Sequence, residues 1–172
     1  MSHGAHRVVA TGPPASGGQV VGNGASVTLT RPLGMYTFAL TVTDPFNQSS
    51  TATTHVTIRD TTAPTLSVTL SPNQIWPPNN ALVPVTASIS VSDLCDPSPV
   101  VKLLSITSNE PLVTGDIQDA AFNTDDRALR LRATRAGAGS GRIYTVTYQA
   151  TDHSGNSVRA TAQVFVPHDR GK

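Results

Sequence analysis

The sequence predicts an all-β fold of the immunoglobulin-like β-sandwich class, one complete module preceded by a partial one, and three observations lead there. One hairpin occurs twice, apolar residues recur at every second position, and turn residues punctuate the chain at short intervals. Composition agrees: 13 glycines and 13 prolines in 172 residues, with only 13% charged residues and abundant Thr, Ser and Val, favour short strands joined by many turns over helices.

The repeat organises everything else. Tyr36-Thr-Phe-Ala-Leu-Thr-Val-Thr-Asp44 aligns with Tyr144-Thr-Val-Thr-Tyr-Gln-Ala-Thr-Asp152, and the match continues without a gap: Asn47 falls opposite Gly155, Ala52 opposite Ala160, Val56 opposite Val164 and Ile58 opposite Val166. Each copy reads as strand, tight turn, strand. In the second, Tyr144, Val146, Tyr148 and Ala150 alternate with Thr145, Thr147, Gln149 and Thr151, the pattern of a strand with one face buried. Asp152 opens its turn and Gly155 is free to take positive φ.

Taken in order, the first module (1–60) offers strands at about 7–11, 19–21 and 25–30 before its hairpin, too few for a whole sandwich. An arbitrary boundary inside a domain, strands supplied by a partner chain, or docking on the second module would each account for the deficit. Asp60-Thr-Thr-Ala-Pro-Thr65 is the expected boundary, since Pro64 cannot continue a ladder. The second module (61–169) then offers seven runs, at 66–70, 82–92, 100–107, 117–122, 128–134, 143–151 and 158–166. In the fifth, Leu129, Leu131 and Ala133 are expected inside, with Arg130, Arg132 and Thr134 outside; Gly137-Ala-Gly-Ser-Gly141 reads as a flexible hairpin connection to the sixth.

The residues also carry a family likeness. Pro32-Leu-Gly-Met-Tyr-Thr-Phe-Ala-Leu-Thr-Val-Thr-Asp44 resembles the final hairpin of PKD-like and HYR-like domains, and Ala150-Thr-Asp-His-Ser-Gly-Asn156 resembles the same hairpin in HYR-like and other bacterial immunoglobulin-like repeats. Asp60–Thr65, Ile75-Trp-Pro-Pro-Asn-Asn80 and Ser92-Asp-Leu-Cys-Asp-Pro97 resemble bacterial extracellular modules of this kind, which serve as spacers, stalks, adhesive units and occasional glycan binders. The resemblance implies a secreted or cell-surface parent protein, with its export signal upstream of this fragment. HYR-like domains usually carry paired cysteines; Cys95 is the single cysteine here, so that disulfide does not carry over.

A formal charge of +1 and a pI near 8.0 give no field that argues for nucleic acid, and no stretch is long and apolar enough for membrane insertion. Catalysis finds no support: no Gly-x-Ser-x-Gly elbow is present, Cys95 lacks an activating context, and His55, His153 and His168 form no i, i+2 or i, i+4 pair. His3 and His6 read as terminal residues, and Lys102 lacks a partner motif for an isopeptide bond.

Calcium is the metal candidate, because hard cations take several oxygens converging from loops. Asp93 and Asp96 flank one turn, and Asp116, Asp119, Asp125 and Asp126 gather around another, while Asp44, Asp60 and Asp152 lie at hairpin or module ends. Against this stands the preference of Asp for turns on its own account. Trp76, between Ile75 and two prolines, either covers the open end of the core or stacks on a sugar face. Arg127, Arg130, Arg132, Arg135, Arg142 and Arg159 would form a basic stripe for an acidic glycan or protein if consecutive strands shared a face. Tyr36 and Tyr144 are expected as structural tyrosine corners, with Asp44, Asp152 and Gly155 shaping the turns. The expected function is a non-catalytic structural or adhesive spacer whose partners are neighbouring modules. The alternative is a carbohydrate- or protein-binding module, stiffened by calcium.

Overall fold

The computed structural model describes residues 5–11, 19–24 and 26–169. His3, the side chain of His6 and Ala25 fall outside the described set. No helix occurs among the described residues, and the chain divides into two compact units, Met1–Asp60 and Thr61–Lys172.

The first unit contains β1 (Ala5–Thr11), β2 (Gln19–Asn23), β3 (Gly34–Thr43) and β4 (Ser49–Ile58), which form one antiparallel sheet in the order β2-β1-β3-β4. Register sorts β3 and β4 into two unlike faces, because directly paired residues share a side of the pleat. Tyr36 pairs with Val56, Phe38 with Thr54, Leu40 with Ala52 and Val42 with Ser50 on one face; Met35 with Thr57, Thr37 with His55, Ala39 with Thr53 and Thr41 with Thr51 on the other. The second face is a polar ladder, in which Thr37 bonds His55 Nδ1 and Thr41 bonds Thr51, each at 2.9 Å. The strand expected at 25–30 does not form: residues 26–30 pair with no ladder, and Val27 and Leu29 instead line a groove with Phe38, Val56 and Ile58.

The second unit contains β5 (Thr65–Ser71), β6 (Leu82–Ser92), β7 (Val100–Ser108), β8 (Ile117–Gln118), β9 (Ala128–Arg132), β10 (Gly141–Thr151) and β11 (Ser157–Pro167). One sheet has the order β5-β6-β9-β8 and the other β11-β10-β7. Numbered as letters A to G, these are the ABED and CFG layers of an immunoglobulin-like sandwich. After β5 the chain changes layers, for Phe165 N donates to Asn73 O at 2.9 Å and Ile75 N donates to Phe165 O at 2.8 Å, setting residues 73–75 parallel to β11.

Alternation builds the core. Val85, Ala87, Leu129 and Leu131 face inward from one sheet, and Leu103, Tyr144, Val146, Tyr148, Ala150, Val164 and Val166 from the other, all at 3% exposure or less. The larger apolar side chains at these positions contribute about 1.5–3 kcal/mol each when fully buried.

Two expectations for this unit need correction. The run at 117–122 yields only the two residues of β8, because Asp119 takes φ 56° and Asn123 φ 66°, which turn the chain out of an extended path. The glycine-rich segment before Gly141 is not a hairpin turn, since β9 and β10 lie in different sheets and the segment crosses between layers.

Candidate functional site

The densest polar constellation lies at one end of the second unit, around Arg142. The alternation that turns Tyr144 inward turns Arg142 inward too, so its guanidinium enters the sandwich edge and is 7% exposed. Nη1 donates to Asp116 Oδ2 at 2.7 Å, to Thr134 Oγ1 at 3.2 Å and to Tyr144 Oη at 3.1 Å. Nε donates to Glu110 Oε2 and Nη2 to Pro111 O, both at 3.2 Å. Burial disfavours the charge, yet the hydrogen bonds that Arg142 donates to Tyr144, Asp116 and Glu110 outweigh it and hold the Arg142 pKa above the ordinary arginine value.

Tyr144 completes the arrangement by donating its hydroxyl to Arg132 O at 2.9 Å, and burial raises its pKa. Tyr148 donates to Asp126 O at 2.6 Å, with burial pushing its pKa up to about 12. Both hydroxyls therefore tie the F-type strand to the chain around β9. In the first unit Tyr36 does likewise, donating to Pro32 O at 2.9 Å.

The six candidate calcium ligands separate into distinct tasks. Asp116 pairs with Arg142 and stands 3.5 Å from Arg132 Nε. Asp119 pairs with Arg130 at 3.0 Å and Asp125 with Arg127 at 2.9 Å. Asp126 accepts from Ala121 N and Ala128 N. Asp93 Oδ1 accepts from Cys95 N and Asp96 N, both at 2.8 Å, while Asp96 accepts from Ser98 N and, through Oδ2, from His153 N, with His153 Nδ1 at 2.8 Å from the same oxygen. The Ser98 amide and the His153 ring hold the Asp96 pKa below its usual value, and Asp96 in turn raises that of His153.

Another grouping draws on Asp152, which the sequence places at a hairpin end. Carboxylate oxygens of Asp93 and Asp152 lie within 4.8 Å of one another, and Asp93 Oδ2 is shielded from solvent with no hydrogen-bond partner among the described residues. Asp152 is 6% exposed, and although burial works against its charge, hydrogen bonds from Asn156 lower its pKa. The signal was present in the sequence as Asp152 at the hairpin mouth, but nothing in the spacing pairs it with Asp93, which lies on the β6–β7 connection.

Trp76 is 36% exposed, and its neighbour Ile75, at 2%, fills the core position. The arginines do not form one stripe. Arg142 is buried, and Arg132 is held against Gly115 O at 3.0 Å and Asn80 O at 3.2 Å, leaving Arg130 exposed on β9.

The hairpin turns match the repeat. Asp44 Oδ1 accepts from Phe46 N and Gln48 N, and Asp152 Oδ1 accepts from Asn156 N. Opposite each other in the alignment, Asn47 has φ 63° and Gly155 φ 91°.

No protein-family profile and no curated protein matches the chain. Among solved structures it is similar to the fibronectin(III)-like modules of Clostridium thermocellum CbhA, at 13% identity and a TM-score of 0.36, covering 94% of this chain and 77% of that one. So loose a superposition adds nothing to the sheet order, and it is the sheet order that makes the second unit an immunoglobulin-like β-sandwich.

Proposed function

We propose that this chain is a non-catalytic structural or adhesive spacer within a larger secreted or cell-surface protein, its partners being neighbouring modules of the same chain. The observation that carries the reading is the repetition of a folding unit rather than of a chemical site. Both units end in the same hairpin, with a tyrosine hydroxyl bonded to an upstream carbonyl at 2.9 Å and an aspartate carboxylate bridging the turn. The network around Arg142 supports it as well: Arg142, Asp116 and Tyr144 bond one another and the backbone, where they fix loops.

A second reading, a carbohydrate- or protein-binding module, is favoured by Trp76, which is 36% exposed beside two prolines while Ile75 occupies the core. Calcium stiffening is compatible with either, since Asp93 and Asp152 place carboxylate oxygens within 4.8 Å and Asp93 Oδ2 has no hydrogen-bond partner among the described residues.

A glycan array separates the first two readings. The spacer gives no signal above background; glycan binding that disappears in Trp76→Ala would replace it with the binding module. Melting with calcium and then with chelator decides the ion, because a bound cation raises the midpoint with its concentration. Superimposable melts would remove it.

A further inference from the structure

The first unit presents an apolar sheet face that the second unit, at equivalent positions, keeps entirely buried. Val146, Tyr148, Ala150 and Val164 are each 0% exposed beneath the β5-β6-β9-β8 sheet. Their counterparts in the repeat differ sharply. Leu40 and Val56 are each 41% exposed and Val42 is 36% exposed, and Phe38 lines an open groove of about 370 Å³ with Val27, Leu29, Arg31, Val56 and Ile58. The same hairpin thus has a β-layer over it in one unit and none among the described residues of the other.

We infer that this face is a self-association surface, on which the β2-β1-β3-β4 sheet of a second copy packs to make a two-layer sandwich. The cover that the repeat calls for is a four-stranded antiparallel sheet with one apolar face, and the first unit is itself such a sheet. Face-to-face packing of two sheets about 10 Å apart is the ordinary sandwich geometry.

Charge allows it and sets its direction. The face positions of β3 and β4, Tyr36, Phe38, Leu40, Val42, Ser50, Ala52, Thr54, Val56 and Ile58, include no group charged at neutral pH, and the register of β1 places His6, Val8 and Ala10 on the same side. Arg31 lines the groove and precedes β3, whose first residue Gly34 pairs with Ile58, and its Nε is shielded and unpartnered among the described residues; Asp44 follows the other end of β3. A two-fold axis lying between the sheets and across the strands brings each Arg31 toward the other copy's Asp44; an axis along the strands would set arginine over arginine.

The area is sufficient. Strands of 7, 5, 10 and 10 residues, at about 3.3 Å per residue and about 4.8 Å between strands, give a face of about 500 Å². Two copies bury about 1,000 Å², the size at which specific interfaces begin, before residues 26–31 add to it.

Light scattering on the 172-residue chain over a range of concentrations tests the proposal. A mass of twice 17.9 kDa is expected at high concentration, falling toward one copy on dilution. Leu40→Arg, on the face, should weaken the dimer by about 100-fold or more, whereas Met35→Arg, on the polar face, should leave it intact. Should Leu40→Arg fail to fold, hydrogen exchange on the unaltered chain gives the same answer, as β3 and β4 amides must become slower with rising concentration. A single-copy mass at every concentration overturns the proposal, as does a dimer lost in Met35→Arg and kept in Leu40→Arg. So does exchange protection independent of concentration, which would mean that another occupant covers the face.

Discussion

Arg142 carries more of the second unit's polar order than any other single residue. Its guanidinium bonds two carboxylates, a hydroxyl, a tyrosine and a carbonyl within a pocket that leaves it 7% exposed. Removing one partner of such a pair leaves the rest buried and uncompensated, at a cost of about 3–5 kcal/mol. Arg142→Met should therefore lower the unit's unfolding free energy by about that much, a large share of the 5–15 kcal/mol typical of a domain. Arg130→Met, which breaks an ion pair with partners 53% and 64% exposed, should cost less than about 1 kcal/mol. Urea titration followed by Trp76 fluorescence measures both, since the single tryptophan lies in this unit; equal losses would mean that the Arg142 network is as solvent-screened as the surface pair. Part of this was legible in the sequence. Period-two alternation places Arg142 on the same side of β10 as Tyr144, but the charge itself suggests an exposed stripe, and only the positions of Asp116 and Glu110, brought from a separate loop, show why a buried arginine is tolerated.

Strands were readable wherever alternation and turn chemistry act locally, and unreadable where pairing is decided across the fold. The two hairpins follow directly from the repeat, with Asp44 and Asp152 bridging their turns and Asn47 and Gly155 at matching positive-φ positions. The layer change at residues 73–75 depends on Phe165, about ninety positions later in the chain, and no local pattern announces it. Nor does composition reveal that the glycines before β10 carry the chain from one sheet to the other. Glycine is required for different reasons in the two β10 connections, and substitution should show it. At Gly155, φ is 91° and an added Cβ meets nothing within 4 Å, so Gly155→Ala should cost only the left-handed backbone penalty of about 1–2 kcal/mol. At Gly141, φ is 120° and the Cβ would sit 2.6 Å from Val166 O, so Gly141→Ala adds a clash with the β11 backbone and should cost clearly more. The same urea titration ranks them, and a smaller loss at Gly141 would show that the β10–β11 ladder yields there without strain.

Across the molecule, the two units differ in how many layers they have, and their stabilities should differ accordingly. The second unit closes two sheets over a core in which ten side chains of the β10–β11–β7 and β9–β6 strands, Val85, Leu103, Leu129, Leu131, Tyr144, Val146, Tyr148, Ala150, Val164 and Val166, are at most 1% exposed. That is the burial a domain of about 100 residues needs to fold by itself. The first unit is a single sheet of four strands with Leu40, Val42 and Val56 at 36–41% exposure, and one uncovered layer buries too little apolar area to offset the entropy of ordering its chain. The excised fragment 61–169 should accordingly unfold in one cooperative step, at the same urea midpoint that Trp76 reports in the whole chain. The whole chain, followed by circular dichroism, should show an additional transition, and because the first unit gains its cover by association, that transition should move to higher urea as chain concentration rises while the Trp76 midpoint stays fixed. A fragment that fails to fold would mean that the second unit draws stability from residues 1–60. A concentration dependence shared by both transitions would mean that the association surface lies on the second unit instead, and a single coincident transition would make the two units one cooperative body.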